Sequence, residues 1–253
     1  MTYLTIAAIV GIATLSSGLF GLYLQRLLPE AHSVDKAREM IGAVTGLVTL
    51  LLALVLGTII GSAYYFSAGQ QTELQTLSAN YLLLDKAFAQ YGAETKPMRD
   101  RLKEGLIRNY QLIWGGGSVE PKDLTAASAL ANLKPLEEYI GSLDPKTPSQ
   151  TRAAGSASAK FAAIEQTRLL MSLQLSVPFA RHLLVVVAIW SSLLFCGFGL
   201  LSRPNATTLT ALAFGSFAVG GAVFLILELS APYTGLFRIS PAAIEQTIDA
   251  LDN

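Results

Sequence analysis

Four long runs of apolar residues mark the chain, at about 3–24, 41–66, 183–201 and 207–229. A bilayer hydrocarbon core about 30 Å thick is crossed by roughly 20 residues of helix, and each run is of that order. None contains Lys, Arg or Asp, and the one carboxylate, Glu228, stands at the end of the fourth. The runs are apolar on all sides, unlike the one-sided helices that cover a soluble core. They therefore predict four membrane-spanning helices. The first has no basic residue ahead of it, is longer than the apolar stretch of a signal peptide and precedes no small-x-small cleavage site. It is expected to stay as a span.

Between the second and third runs the pattern changes to the amphipathic period of helices. Leu74, Leu77, Tyr81, Leu84, Phe88 and Tyr91 are spaced by alternating threes and fours, a heptad seam. No breaker separates this seam from the second run, so one helix is expected to leave the membrane and carry it. The seam packs either within the chain, against a helix holding Leu102 and Leu106, or against a second copy. Further helices are predicted over about 96–114, 124–140 and a last stretch with Phe161, Ile164, Met171 and Leu175 that leads into the third span. Gly115-Gly116-Gly117-Ser118 lacks the Gly-Lys-Ser/Thr ending of a phosphate loop and reads as a linker. Pro178 is placed to kink the approach to the third span.

After Gly235, Ser240 suits an N-cap and Pro241 the first helical position. Ile244, Ile248 and Leu251 then share a face opposite Glu245, Asp249 and Asp252. This short helix is expected to lie in the membrane interface, with packing on the central domain as the alternative. The expected fold is all-α: four transmembrane helices with a helical extramembrane domain between the second and third. Residues 1–66 hold spans one and two, 67–178 the helical domain, 179–229 spans three and four, and 230–253 a turn and the amphipathic helix.

Composition narrows the function. The chain is 52% hydrophobic and only 14% charged, with 18 basic and 18 acidic residues, and its mean hydropathy is +0.47. A formal charge of zero argues against a nucleic-acid partner, which needs clustered Lys and Arg. Cys196 is the single cysteine, and His32 and His182 are the only histidines. No metal site or cofactor is expected, since His32 and Asp35 on one helical face would be two ligands only. There is no His-Glu-x-x-His, Gly-x-Ser-x-Gly or paired-Asp motif near a span, so an enzyme is not expected. Asn205-Ala206-Thr207 matches a glycosylation sequon, but Asn205 better suits the cap of the fourth span. The short loops carry Arg26, Lys36, Arg38 and Arg203. By the positive-inside rule they face the cytoplasm, which puts the central domain and both termini outside the plasma (inner) membrane.

The spans carry stripes of small residues. In the second, Gly42, Gly46, Thr49, Ala53, Gly57 and Gly61 fall within an arc of roughly 120° at about 100° per residue. Ala7, Gly11, Thr14 and Gly18 form a stripe in the first span, and Ala211, Gly215, Ala218 and Ala222 in the fourth. Small residues let helices approach closely in lipid. The stripe of the second span either packs inside one subunit or faces an axis, with Thr45, Thr49, Thr58 and Ser62 lining a wet path. With the heptad seam it also supports self-association.

The last third runs Phe198-Gly199-Leu200, Arg203-Pro204-Asn205-Ala206-Thr207, Phe224-Leu225-Ile226-Leu227-Glu228-Leu229, Pro232-Tyr233-Thr234-Gly235-Leu236 and Ile239-Ser240. The first half adds Gly46-Leu47-Val48, Ala53-Leu54-Val55-Leu56-Gly57, Leu77-Ser78-Ala79-Asn80 and Leu84-Asp85. These segments resemble a bacterial family of membrane proteins labelled bestrophin-like. The chain departs from its pattern at Ser230, where the family usually has Asp. The resemblance implies kinship with bestrophins, which are oligomeric anion channels, and so a homo-oligomeric ion channel with anions ahead of cations. No Lys or Arg lies within the spans, so an anion path would rely on helix N-termini or hydroxyls. The alternative is a non-transporting scaffold or sensor acting through its central helical domain.

Within the signature, Glu228, Pro232, Tyr233 and Gly235 are the candidate site. A carboxylate at the edge of an apolar run is costly unless paired or wet. Glu228 reads as a membrane-edge anchor, as a polar element at the mouth of a path, or as the partner of Arg181 or Arg238. Pro232 should stop the fourth helix and Gly235 should permit a turn with positive φ.

Overall fold

In a computed structural model of the protein, residues 2–27, 34–115, 125–176 and 181–251 are described. They form α1 (Thr2–Leu27), α2 (Val34–Tyr91), α3 (Lys96–Trp114), α4 (Ala126–Ala131), α5 (Lys134–Gly141), α6 (Pro148–Ser176), α7 (Arg181–Leu201), α8 (Ala206–Leu229) and α9 (Ala242–Leu251), with no strand among the described residues. Helices α1, α2, α7 and α8 are long and apolar enough to cross a membrane. The all-α expectation holds. The segments with His32, with Gly116 to Ser118 and with Pro178 lie outside the described residues, as do the side chains of Asp35 and Arg181.

The chain divides into two compact units, one of Met1–Phe66 with Phe179–Ala231 and one of Ser67–Pro178 with Pro232–Asn253. The expected run of helix from the second span into the seam is present: α2 continues for 58 residues. At about 1.5 Å per residue that is nearly three times the thickness of a hydrocarbon core. No proline interrupts it, and it ends at Gly92, whose φ of 148° is open to glycine and closed to most side chains.

In the unit with the spans, α1 packs against both α7 and α8. Glycines set the approach. A Cβ at Gly220 of α8 would stand 3.1 Å from the Ala7 carbonyl oxygen, and one at Gly11 would stand 3.4 Å from that of Ser216. A Cβ at Gly21 would run into the Cys196 carbonyl, and one at Gly199 into that of Gly18. In lipid, where burial of apolar surface drives nothing, such backbone approach supplies the dispersion that joins helices. Ser17 Oγ adds a bond across α1 and α7, donating to the Ser192 carbonyl at 2.7 Å. The expected stripe of α1 is therefore an internal packing face. That of α8 is only partly so: its buried face runs Leu212, Ser216, Gly220 and Val223, while Ala211 and Ala218 are exposed. Asn205 caps α8 as expected, its Oδ1 accepting the Thr208 N–H at 2.7 Å.

The second unit has its own core. All six seam residues are buried, and Leu74, Leu77, Tyr81, Leu84 and Phe88 belong to this core. Leu84, Phe88 and Ile164 are fully enclosed, and Leu102, Leu106, Phe161, Tyr233 and Ile244 belong to the same cluster. Fully burying each such side chain contributes about 1.5–3 kcal/mol. The seam thus packs within the chain and is not available to a second copy. Asp85 and Arg99 lock α2 to α3 through two parallel bonds of 2.6 and 2.8 Å. The Asp85 carboxylate holds the Arg99 guanidinium above its ordinary pKa through that hydrogen bond. Thr95, fully buried, donates to the carbonyls of Phe88 and Gly92 and ties the turn between the two helices.

Two expectations change here. The predicted helix over 124–140 is two short helices, α4 and α5, because Pro135 has no N–H to give and its ring would meet the Ala131 carbonyl in a continuous helix. For the C-terminal helix the alternative holds, packing on the helical domain rather than lying in the membrane interface. Ile244 is buried in the core of this unit, with Ile248 and Leu251 packed against it. The helix opens one residue late: the Pro241 carbonyl accepts from Ile244 and Glu245, and Ser240 Oγ accepts the Ala242 N–H at 3.3 Å.

Candidate functional site

The α2 stripe is placed where the chain leaves it uncovered. The face of α2 turned into its unit runs Thr45, Leu52, Ile59 and Ala63, all buried. The small residues lie about a third of a turn round from it at about 100° per residue. A Cβ at Gly42, Gly46, Gly57 or Gly61 would meet nothing within 4 Å. Thr49 and Ala53, between them, are exposed. Packing inside one subunit is therefore not the role of this stripe. Of the hydroxyls expected beside it, Thr45 is turned inward against Gly197. Thr49 and Thr58 stay outside and donate to the carbonyls of Thr45 and Leu54, each at 2.8 Å. These internal bonds satisfy the donors in an apolar setting and leave the hydroxyl oxygens free to accept.

The signature divides between the two units. Glu228, in the last turn of α8, is 4% exposed, and its carbonyl accepts the Ala231 N–H at 3.1 Å. Arg238 is engaged in its own turn, its Nε donating to the Gly235 carbonyl at 3.2 Å, and the Arg181 side chain lies outside the described residues. Pro232 does follow the end of α8 and is fully buried. Its carbonyl accepts the Ile239 N–H at 2.9 Å and closes the turn. Gly235 differs from expectation. Among the described residues the glycine with positive φ is Gly92, so the bond from Ile239, rather than a left-handed glycine, shapes this turn.

Tyr233 is the centre of a buried polar chain. Its hydroxyl donates to Gln70 Oε1 at 3.1 Å, and Gln70 Nε2 donates to Gln174 Oε1 at 2.6 Å. Gln70 is fully enclosed, and Tyr233 is 4% exposed with its ring edge-on to Trp114 at 6.4 Å. Burial, with a smaller push from Glu73, raises the Tyr233 phenol well above its ordinary 10.0. Beside it, Gln71 and Ser240 exchange two bonds, and the Trp114 indole donates to the Ile239 carbonyl at 3.2 Å. The sequence reading missed Gln70, Gln71 and Gln174. Their signal was available: Gln70 stands four before Leu74 on the seam, where a polar residue is stable only if fully bonded.

The signature therefore does two things. It ends α8 with an enclosed carboxylate, and it fastens the C-terminal segment to α2, α3 and α6. Among the described residues no group of three or more His, Cys, Asp or Glu is placed to hold a metal. No curated protein matches the chain, and no solved structure does. A family model described as a bestrophin-like domain matches residues 11–244, from α1 into α9 and across both the α2 stripe and the signature. The chain belongs to the bestrophin-like family of membrane proteins.

Proposed function

We propose that the protein is a homo-oligomeric membrane channel for small ions, with the α2 helices of several copies facing one another through Gly42, Gly46, Thr49, Ala53, Gly57 and Gly61. The observation that carries this reading is the uncovered glycine face of α2, in a unit where Gly221 is the other described glycine with nothing within 4 Å of its Cβ. Small residues with accepting hydroxyls suit both close helix approach and a wet lining. Family kinship favours anions over cations. The buried Glu228 is the polar group at the end of the span region that would bias selectivity.

The short loops face the cytoplasm in this reading, with the helical unit and both termini outside the plasma membrane. A topology reporter fused after Asn253 should report an extracytoplasmic end. Purified protein in liposomes should pass ions when several salts are compared, and its mass in nanodiscs should exceed one chain. Gly57→Leu should weaken assembly without unfolding the subunit, and Glu228→Gln should change selectivity with assembly intact. A monomeric mass in both detergent and nanodiscs would refute the assembly. Assembly without flux in any salt would favour a non-transporting scaffold or sensor working through the helical unit.

A further inference from the structure

The helical unit contains a cleft that neither the fold nor the proposed channel explains. Two adjoining cavities of about 410 and 470 Å3 share Tyr81, Leu106, Asn109, Leu112, Asn132 and Arg168 in their walls. Both volumes lie in the range of small-molecule sites, about 300–1,000 Å3. The first is a largely apolar chamber whose wall includes Trp114, Tyr110, Met171 and Ile244. Tyr110 and Trp114 stack there with ring centres 5.9 Å apart. The second is the more polar of the two, although apolar side chains still make up much of its wall. It brings Arg101 and Arg108, one face of α3 seven residues apart, beside Arg168 of α6, with Glu104 as the carboxylate in its wall.

These arginines differ from their neighbour Arg99, which is spent on Asp85. Among the described residues, Arg101, Arg108 and Arg168 form no ion pair. Three guanidinium groups against one carboxylate leave a cationic mouth on an apolar chamber. Guanidinium groups bind carboxylate and phosphate oxygens in paired, planar geometry. Gly105 lies in the wall of the second cavity, and a Cβ there would meet nothing within 4 Å.

We propose that this cleft binds a single-chain amphiphile with an anionic head. Its chain lies in the aromatic chamber and its carboxylate or phosphate meets Arg101, Arg108 and Arg168. The charge disfavours a cationic head, and the apolar chamber favours an anion that carries a chain over one that does not. The assignment is independent of ion conduction.

The chain has two tryptophans, Trp114 in the chamber and Trp190 in α7. In a Trp190→Phe background, Trp114 alone reports on the cleft. Full-length protein in nanodiscs would be titrated with a bromine-tagged fatty acid, an alkyl phosphate with the same tagged chain, and the matching alkyltrimethylammonium. Bromine quenches indole on contact. Saturable quenching by the carboxylate or the phosphate is expected, with the ammonium compound at least tenfold weaker. The better of the two anions distinguishes a free fatty acid from a lysophospholipid-like source. Arg168→Gln combined with Arg108→Gln should weaken binding at least tenfold. Gly105→Leu, which has room to fold, should do the same by filling the mouth. Quenching that never saturates, that is equal for the ammonium compound, or that is unchanged in Gly105→Leu would overturn the proposal.

Discussion

Adding a methyl group to Gly21 tests how the spans are held together. A Cβ there would run into the Cys196 carbonyl oxygen, a backbone atom of α7 that cannot swing aside. Ordinary van der Waals contact begins near 3.4 Å. To reach it, α1 and α7 must part by on the order of 1 Å, and interiors packed to crystal-like density resist such movement. Overpacking of this kind costs about 1–3 kcal/mol. In a chain of this size each kcal/mol moves the melting temperature by roughly 2–4 °C, so Gly21→Ala should melt about 2–12 °C lower. Gly199→Ala should behave alike, since its Cβ meets the Gly18 carbonyl. Gly221→Ala is the control. It lies on an exposed face of α8, nothing stands within 4 Å of its Cβ, and the gain in helix propensity is up to about 1 kcal/mol. Intrinsic fluorescence melting at one scan rate, in one lipid, reads all three. A Gly21→Ala protein that melts with the parent would refute the close approach of α1 and α7. So would a Gly221→Ala protein that falls as far as Gly21→Ala.

Two further outcomes follow from the helical unit. Tyr233→Phe removes the donor to Gln70 and leaves a buried oxygen unsatisfied, which costs about 1–3 kcal/mol; the loss should appear as a lower denaturation midpoint and faster proteolysis after α8. Because the folded phenol is raised, its contribution is complete below about pH 10 and declines as pH climbs towards the raised value. Melting between pH 8 and 11 should therefore steepen in the parent and flatten in Tyr233→Phe. Asp85→Asn breaks the paired bonds to Arg99, whose side chain is 34% exposed. The cost should be about 1–3 kcal/mol, less than for a fully enclosed pair, read as the loss of the α2–α3 contact in hydrogen exchange. An unchanged melting profile in either variant would contradict the corresponding contact.

The two kinds of helix were legible for different reasons. A span is announced by some twenty residues without charge, and in lipid a single segment can satisfy its own backbone only as a helix. The seam was legible because its alternation of threes and fours has one solution, a helix with a buried face. Harder to read was the choice among surfaces that look alike. Stripes of glycine and alanine occur in α1, α2 and α8, yet that of α1 packs within the chain, that of α8 gives way to Leu212, Ser216 and Gly220, and that of α2 is uncovered. Spacing alone is the same in each case. Which face meets a neighbour depends on how helices far apart in sequence are assembled.

The signature shows the same division. Glu228, Pro232, Tyr233 and Gly235 could be picked out as a group, and Pro232 could be assigned to the end of α8, because proline acts on the residues beside it. The bond from Ile239 to Pro232, the enclosure of Gln70 and the seating of α9 on the helical core could not be read that way. Each joins residues separated by a loop or by more than a hundred positions, and each depends on a cavity that exists only once α2, α3 and α6 have packed. Local chemistry and periodicity thus determined the all-α membrane class, the spans, the long second helix and its buried seam. Tertiary structure alone decided that the α2 stripe is uncovered, that the seam packs against the chain's own helices and not a second copy, that Tyr233 fastens the C-terminal segment, and that three arginines line one cleft. Pattern constrains the faces a helix has, whereas only packing selects the face that is used.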